Sequence, residues 1–174
     1  MGLIKKLKLW WARRPHPTGA RAGIGVSANV HIKVWDKNGK IKYDHDGKNI
    51  ECNEGFEWLK GHAHDATHAR PQMDVVEVGS DDTAPAATDV GCTTPVVDGG
   101  LAKALGDYVS GATGVCTITE AFSVTATRTV KETALLNDTG GTEECFAHVL
   151  TGTVDLSDGD TLQIVWTITY GSAA

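Results

Sequence analysis

Aromatic residues are scarce in this chain, at 6% of 174 positions, and methionine occurs only twice. No apolar stretch approaches the roughly 20 residues that a membrane-spanning helix needs, which excludes that class of protein. None of the four cysteines, Cys52, Cys92, Cys116 and Cys145, sits in a C-x-x-C pair, so a zinc ribbon is excluded. The even count allows two disulfides in any of three pairings, and synthesis in a reducing cytoplasm makes free thiols the first expectation. There is no G-x-S-x-G elbow, no H-E-x-x-H pair and no glycine-rich phosphate loop ahead of a helix. Gly23-x-Gly25 lacks the rest of a dinucleotide fingerprint. The first ten residues mix bases with apolar side chains and no continuous apolar run follows, so the sequence reads as having no secretory signal.

Acidic residues are also missing from one region. Residues 1–21 hold six of the 16 bases and none of the 22 acids, which leaves ten bases against 22 acids in the remainder. An acidic body repels phosphate, so general nucleic-acid binding is not expected. The basic segment contains Leu3, Ile4, Leu7, Trp10 and Trp11 at three- and four-residue steps, with Lys5, Lys6 and Lys8 between them. That spacing predicts a short amphipathic helix, ended by Arg14-Pro15 because the residue before proline avoids helical dihedrals. Large apolar side chains on a basic arm favour burial in a protein groove over a membrane surface. Leu3, Ile4, Leu7, Trp10, Trp11, Arg13 and Arg14 are therefore the expected partner-binding residues. The expected organisation is an arm and linker over 1–22 and a single domain over 23–174.

What the chain has in quantity is glycine, threonine and valine in short alternating runs. Ala28, Val30, Ile32 and Val34 alternate with polar residues and predict a half-buried strand. Asp36 to Gly39 predicts a hairpin turn, and Asp46-Gly47 a second one. Asn53 is a candidate cap for a helix of about two to four turns, with Phe56, Leu59 and Ala63 on one face and Gly55 and Gly61 weakening it. MDVVEVG predicts a buried strand, residues 80–100 a long loop, and LAKALGDYV a helical turn or an edge segment. Residues 116–130 read as one long strand with a threonine-rich wet face. Phe146, His148, Leu150 and Val154 predict the apolar face of the next strand, and Leu162, Ile164, Trp166, Ile168 and Tyr170 that of the last. The class expected is mainly β: a jelly-roll-like antiparallel β-sandwich with one short helix and an N-terminal amphipathic arm.

Two stretches could carry metal chemistry. His62, His64, Asp65 and His68 fall within seven positions, and His64 and His68 share a helical face at i, i+4, a spacing that can hold zinc. His62 points elsewhere on a regular helix, and no glutamate is placed as a base, so a solvated helix end is the expected reading and no metal or other cofactor is expected. Asp36-x-Asn38-Gly39 and Asp44-x-Asp46-Gly47 resemble the start of a calcium loop, but neither has the closing glutamate. No residue stands out as catalytic.

The order of these signals resembles a family. MDVVEVGSDDTAPAATD is similar to the "strand, glycine, T-x-A-P, T-D" stretch of many tailed-bacteriophage virion proteins. Thr129 to Asn137 resembles their "strand, I-x-E-x-G-L-F" segment, and Asp158 to Ile168 their closing "G-D-x-L-x-V-x-W-x-I" strand. The resemblance spans about residues 26–171. Thr133-Ala134 stands where A-G is expected, Leu136 where phenylalanine is usual, and the arm has no counterpart. The resemblance implies a non-enzymatic β-sandwich component of a virion (head decoration, collar or neck, or tail fibre), assembled in the host cytoplasm as a symmetric oligomer among other capsid or tail subunits. Glu132 and the 80–100 loop are expected contact elements. The alternatives are a metal-binding module or metal-dependent enzyme at the histidine cluster, and a carbohydrate-binding particle-surface domain using Trp35.

Overall fold

A computed structural model describes residues 24–64, 71–137 and 143–172, and the alternating stretches of the sequence become its strands. β1 (Ile24–Trp35) buries Ala28, Val30, Ile32 and Val34 on one side. The turn that follows is held by Asp36, whose Oδ1 accepts the amides of Asn38 and Lys40 at 2.8 and 2.9 Å, with Gly39 at φ 80°. β2 (Ile41–Lys48) pairs back on β1. The second expected turn is absent: β2 runs through Asp46-Gly47, and Gly47 lies opposite Val30, where a Cβ would sit 2.8 Å from the valine Cγ1. Glycine here permits close packing and does not reverse the chain.

The chain then crosses to a second sheet through β3 (Ile50–Glu51), α1 (Asn53–His64), β4 (Val75–Gly79) and β5 (Ala104–Leu105). It returns to the first sheet in β6 (Asp107–Ser110) and β7 (Val115–Ser123), crosses again for β8 (Arg128–Leu136) and β9 (Cys145–Leu156), and closes with β10 (Thr161–Ser172). The first sheet has the order β2-β1-β10-β7-β6 and the second β3-β9-β8-β4-β5, with every pairing antiparallel. The fold is a mainly β, antiparallel sandwich with one short helix, as the periodicity predicts. Trp166, Ile164 and Leu162 of β10 lie beside Val30, Ile32 and Val34 of β1 on the inner face of the first sheet, and share the main core with Leu135 of β8 in the second. Each such full burial stabilises the fold by about 1.5–3 kcal/mol.

Three sequence expectations change. Residues 116–130 are not one strand, because β7 lies in the first sheet and β8 in the second. The switch occurs at Val124, whose amide is taken by Asp160 O and whose carbonyl accepts from Gly159. Phe122, Val124 and Val130 all stay inward, so the same parity is buried on both sides of the change of sheet, with the partly exposed Ala126 and Arg128 between. LAKALGDYV is an edge segment, the second of its two expected readings, but it splits, with β5 at the edge of one sheet and β6 at the edge of the other. On β9, Phe146, Ala147, Val149 and Val154 reach the main core, whereas His148 turns to the outer side of the sheet.

The helix also differs in its buried face. Phe56 is exposed, while Gly55 lies on Phe146 so closely that a Cβ would meet its Cα and carbonyl oxygen at 2.9 Å. Helical geometry begins at Asn53, which leaves Cys52 at the cap position, and the Asn53 amide is held by Ala87 O. The N-terminal arm, residues 65–70 and the 138–142 loop tip lie outside the described residues.

Candidate functional site

The outer face of the second sheet carries an unusual group of buried polar side chains. A register shift between Val130 and Glu132 turns the parity of β8, so Val130 points to the main core and Glu132 to the outer face. His148 lies on β9 opposite Ala134, next to Glu132, and Glu77 lies on β4 opposite Ala134 from the other side. The irregular chain from 80 to 95 lies over this face. Glu132 and His148 are fully buried and Glu77 is 5% exposed.

The polar side chains here are held by defined partners. His148 Nε2 meets Glu132 Oε2 at 2.8 Å, and Nδ1 meets Asp89 Oδ2 at 2.7 Å. A neutral imidazole has one N–H, so making both bonds needs a second proton in the group. Glu132 also accepts the backbone amides of Thr93 and Thr94, both at 2.9 Å, and the more distant amide of Asp81. Glu77 accepts the Cys92 amide at 2.8 Å, and the Thr133 hydroxyl donates to Glu77 O at 2.7 Å. Gly79 makes room for this arrangement: a Cβ there would lie 2.2 Å from Glu132 Oε1.

The electrostatics follow from burial. Burial raises Glu77 above the ordinary carboxylate value, more than the Cys92 amide and Lys103 lower it. Burial also works against the Asp89 carboxylate, but the Ala86 amide and His148 outweigh it and hold Asp89 below its ordinary value. Burial, then the nearby Glu77 and Glu132 carboxylates, push the Cys92 thiol well up. Cys92, His148 and Glu132 superficially resemble a nucleophile, base and orienting acid. Burial and the neighbouring acids disfavour the thiolate, and both imidazole nitrogens are engaged by carboxylates, so neither is free to take the thiol's proton. What it does is fix a loop: one side chain, Glu132, grips the amides of three residues between 81 and 94.

The same group includes the only set of metal-type ligands that converges among the described residues. One ligand atom each from Cys92, Glu132 and His148 lie within 4.8 Å of one another. A cation there would have to displace the Glu132–His148 hydrogen bond.

The residues singled out in the sequence are placed differently. His62 is exposed, stacked on Trp58 with ring centroids 3.9 Å apart. His64 ends α1, and its side chain, with Asp65 and His68, lies outside the described residues. Leu3, Ile4, Leu7, Trp10, Trp11, Arg13 and Arg14 lie outside them too. Asp36 is committed to turn amides, and Asp44 and Asp46 bracket His31 at 3.2 and 2.7 Å, so neither acidic stretch forms a calcium loop. Trp35 has Lys33 Nζ 5.7 Å from its ring centroid. Glu132, expected as an outward contact, is instead internal. Of the buried group, Glu77, Asp89, Cys92 and His148 were not singled out. The available signal was an acid and a histidine at interior positions of otherwise apolar strands.

A separate feature lies at one open end of the sandwich. Met73, Tyr108, Ile118, Phe146 and Tyr170 help to line a largely apolar cavity of about 270 Å³. Among the described residues, no helix is long and apolar enough to cross a membrane. No protein-family model matches the chain, and no curated protein and no solved structure gives a significant match.

Proposed function

We propose that this chain is a non-enzymatic structural component of a tailed-phage virion, in a head-decoration, collar or tail-fibre position, assembling as a symmetric oligomer anchored through its N-terminal arm. One observation carries the reading. Asp89, Glu132, Asp160 and Trp166, positions within the stretches that carry the family resemblance, are side chains that hold the sandwich together. Asp89 and Glu132 clamp His148. Asp160, 4% exposed, accepts the Ser157 amide and the Lys42 ammonium. Trp166 is fully buried. The three acids of these motifs are engaged by partners within the chain itself, as a scaffold's are, and Trp166 serves as a core side chain.

The surface supports assembly. Among the described residues, β6 is an uncovered edge of the first sheet, with Tyr108 and Val109 58% and 57% exposed. The opposite edge, β2, is blunted by Lys42, Asp44, Asp46 and Lys48. Val26 pairs with Tyr170, which lines the apolar cavity, so β1 begins beside that opening. In this reading the apolar face of one copy's arm fills the opening on the next copy, a repeated contact that closes into a ring. The rival reading is a metal-binding module, now centred on Cys92, Glu132 and His148.

Native mass spectrometry of the full chain, with and without added zinc, separates the two. A metal-free oligomer, lost on deletion of residues 1–14 while the body stays folded, is expected. A monomer that retains one zinc ion through buffer exchange would replace this reading with the metal module.

A further inference from the structure

We propose that Cys52 and Cys145 are a redox pair that closes into a disulfide when the folded protein meets an oxidising environment. Their sulfurs lie 3.3 Å apart, although 93 positions separate them in sequence. Sheet pairing brings them together: Ile50 pairs with His148, Glu51 with Ala147, and the Cys52 amide donates to Phe146 O at 2.9 Å. Both side chains are fully buried in a small apolar cluster with Val75, Ala134 and Leu136. A disulfide bond is about 2.05 Å long. Closure therefore needs the sulfurs to approach by roughly an ångström, within side-chain rotation and without rearranging either strand.

The structure also selects this pairing over the other connectivities. Cys116 lies on β7 in the main core, on the other side of the second sheet. Cys92 shares the small cluster, but its ligand atom groups with Glu132 and His148. Among the described residues, only Cys52 and Cys145 have their sulfurs in contact.

The chemistry sets when the bond forms. The neighbouring Cys52 thiol and burial push Cys145 far above an ordinary thiol. Exchange therefore proceeds only when the start of α1 lifts from β9 and a thiolate forms. That thiolate attacks a small disulfide such as oxidised glutathione, giving a mixed disulfide and one glutathione thiolate. The second cysteine, losing its proton, displaces the second glutathione. Two protein thiols are oxidised, one glutathione disulfide is reduced to two thiols, and the two protons end on the released glutathiones. Once closed and reburied, the bond is shielded from reductant. It ties the start of α1 to β9, next to the Asn53 amide that holds Ala87 of the covering loop.

The test uses the full chain, first without mutation. Folded protein is incubated with oxidised glutathione, with and without a low urea concentration to promote opening, then denatured, alkylated and mapped by mass spectrometry. The expected result is loss of two hydrogens, one Cys52–Cys145 cross-linked peptide, and alkylated Cys92 and Cys116. The closed loop is long, so the melting temperature should rise on the order of 10 °C and fall back with dithiothreitol. A Cys92→Ala/Cys116→Ala chain should behave the same way. Four alkylatable thiols after oxidation in urea, or a cross-link through Cys92, would overturn the proposal.

Discussion

Replacing Glu132 by glutamine keeps the side-chain shape and removes the charge. The glutamine oxygen can accept some of the bonds, but its NH2 then faces the Thr93 or the Thr94 amide, donor against donor. Glu132→Gln should destabilise the protein by about 2–3 kcal/mol in urea titration, and Glu132→Ala by about 3–5 kcal/mol, because each leaves buried partners unmet. Asp89 and Glu77 should shape the acid limb of stability in opposite senses. The folded value of Asp89 is lowered, so its contribution is present above the ordinary value of 3.8 and is lost as pH falls through the lower folded value. Glu77 is raised, so its contribution is full below the ordinary value of 4.5 and is lost as pH rises through the higher folded value. Melting temperature followed from about pH 3 to pH 7 should flatten on the acid side in Asp89→Asn and lose the opposing slope in Glu77→Gln.

At the scale of elements, α1 illustrates a conflict between propensity and packing. Glycine in a helix interior costs about 1 kcal/mol relative to alanine, so Gly55→Ala looks stabilising from sequence. The structure places that position 2.9 Å from the Phe146 backbone, which cannot yield as a flexible side chain would. Gly55→Ala should therefore be destabilising by about 1–3 kcal/mol, read as a lower urea midpoint at unchanged slope. The β7–β8 arch makes a related point. Inward parity is kept through Val124, so alternation reports which residues are buried but not which sheet they belong to. The register shift at Lys131 has the reverse effect, moving Glu132 to a different face from Val130 although both occupy even positions.

For the whole molecule, the two edges of the first sheet are unequal. β2 carries a charged side chain at every second position and β6 presents Tyr108 and Val109. Tyr108 also lines the end cavity, so it sits where an arm from a neighbouring copy would dock. Tyr108→Lys should shift the native mass distribution towards monomer, while the melting temperature of the body changes by no more than a few degrees, since the side chain is already exposed. An unchanged oligomer would show that assembly uses another surface. The edges of the second sheet, β3 and β5, have only two residues each, too short to template a long strand addition.

The sequence by itself determined the class of fold, the inward residues of β1 and β10, and the Asp36–Gly39 hairpin. These depend on local periodicity and turn chemistry, which act over a few residues. The tertiary structure decided what depends on pairing between distant segments. It divided one alternating run between two sheets, showed Gly47 and Gly55 to be close contacts, and turned His148 and Glu132 to the same outer face. There they meet Asp89 from a loop 43 positions upstream of Glu132, and they become a buried clamp instead of a contact surface. Neither the strand period nor any residue spacing encodes that meeting, because it arises from a β-bulge and a loop laid over the sheet.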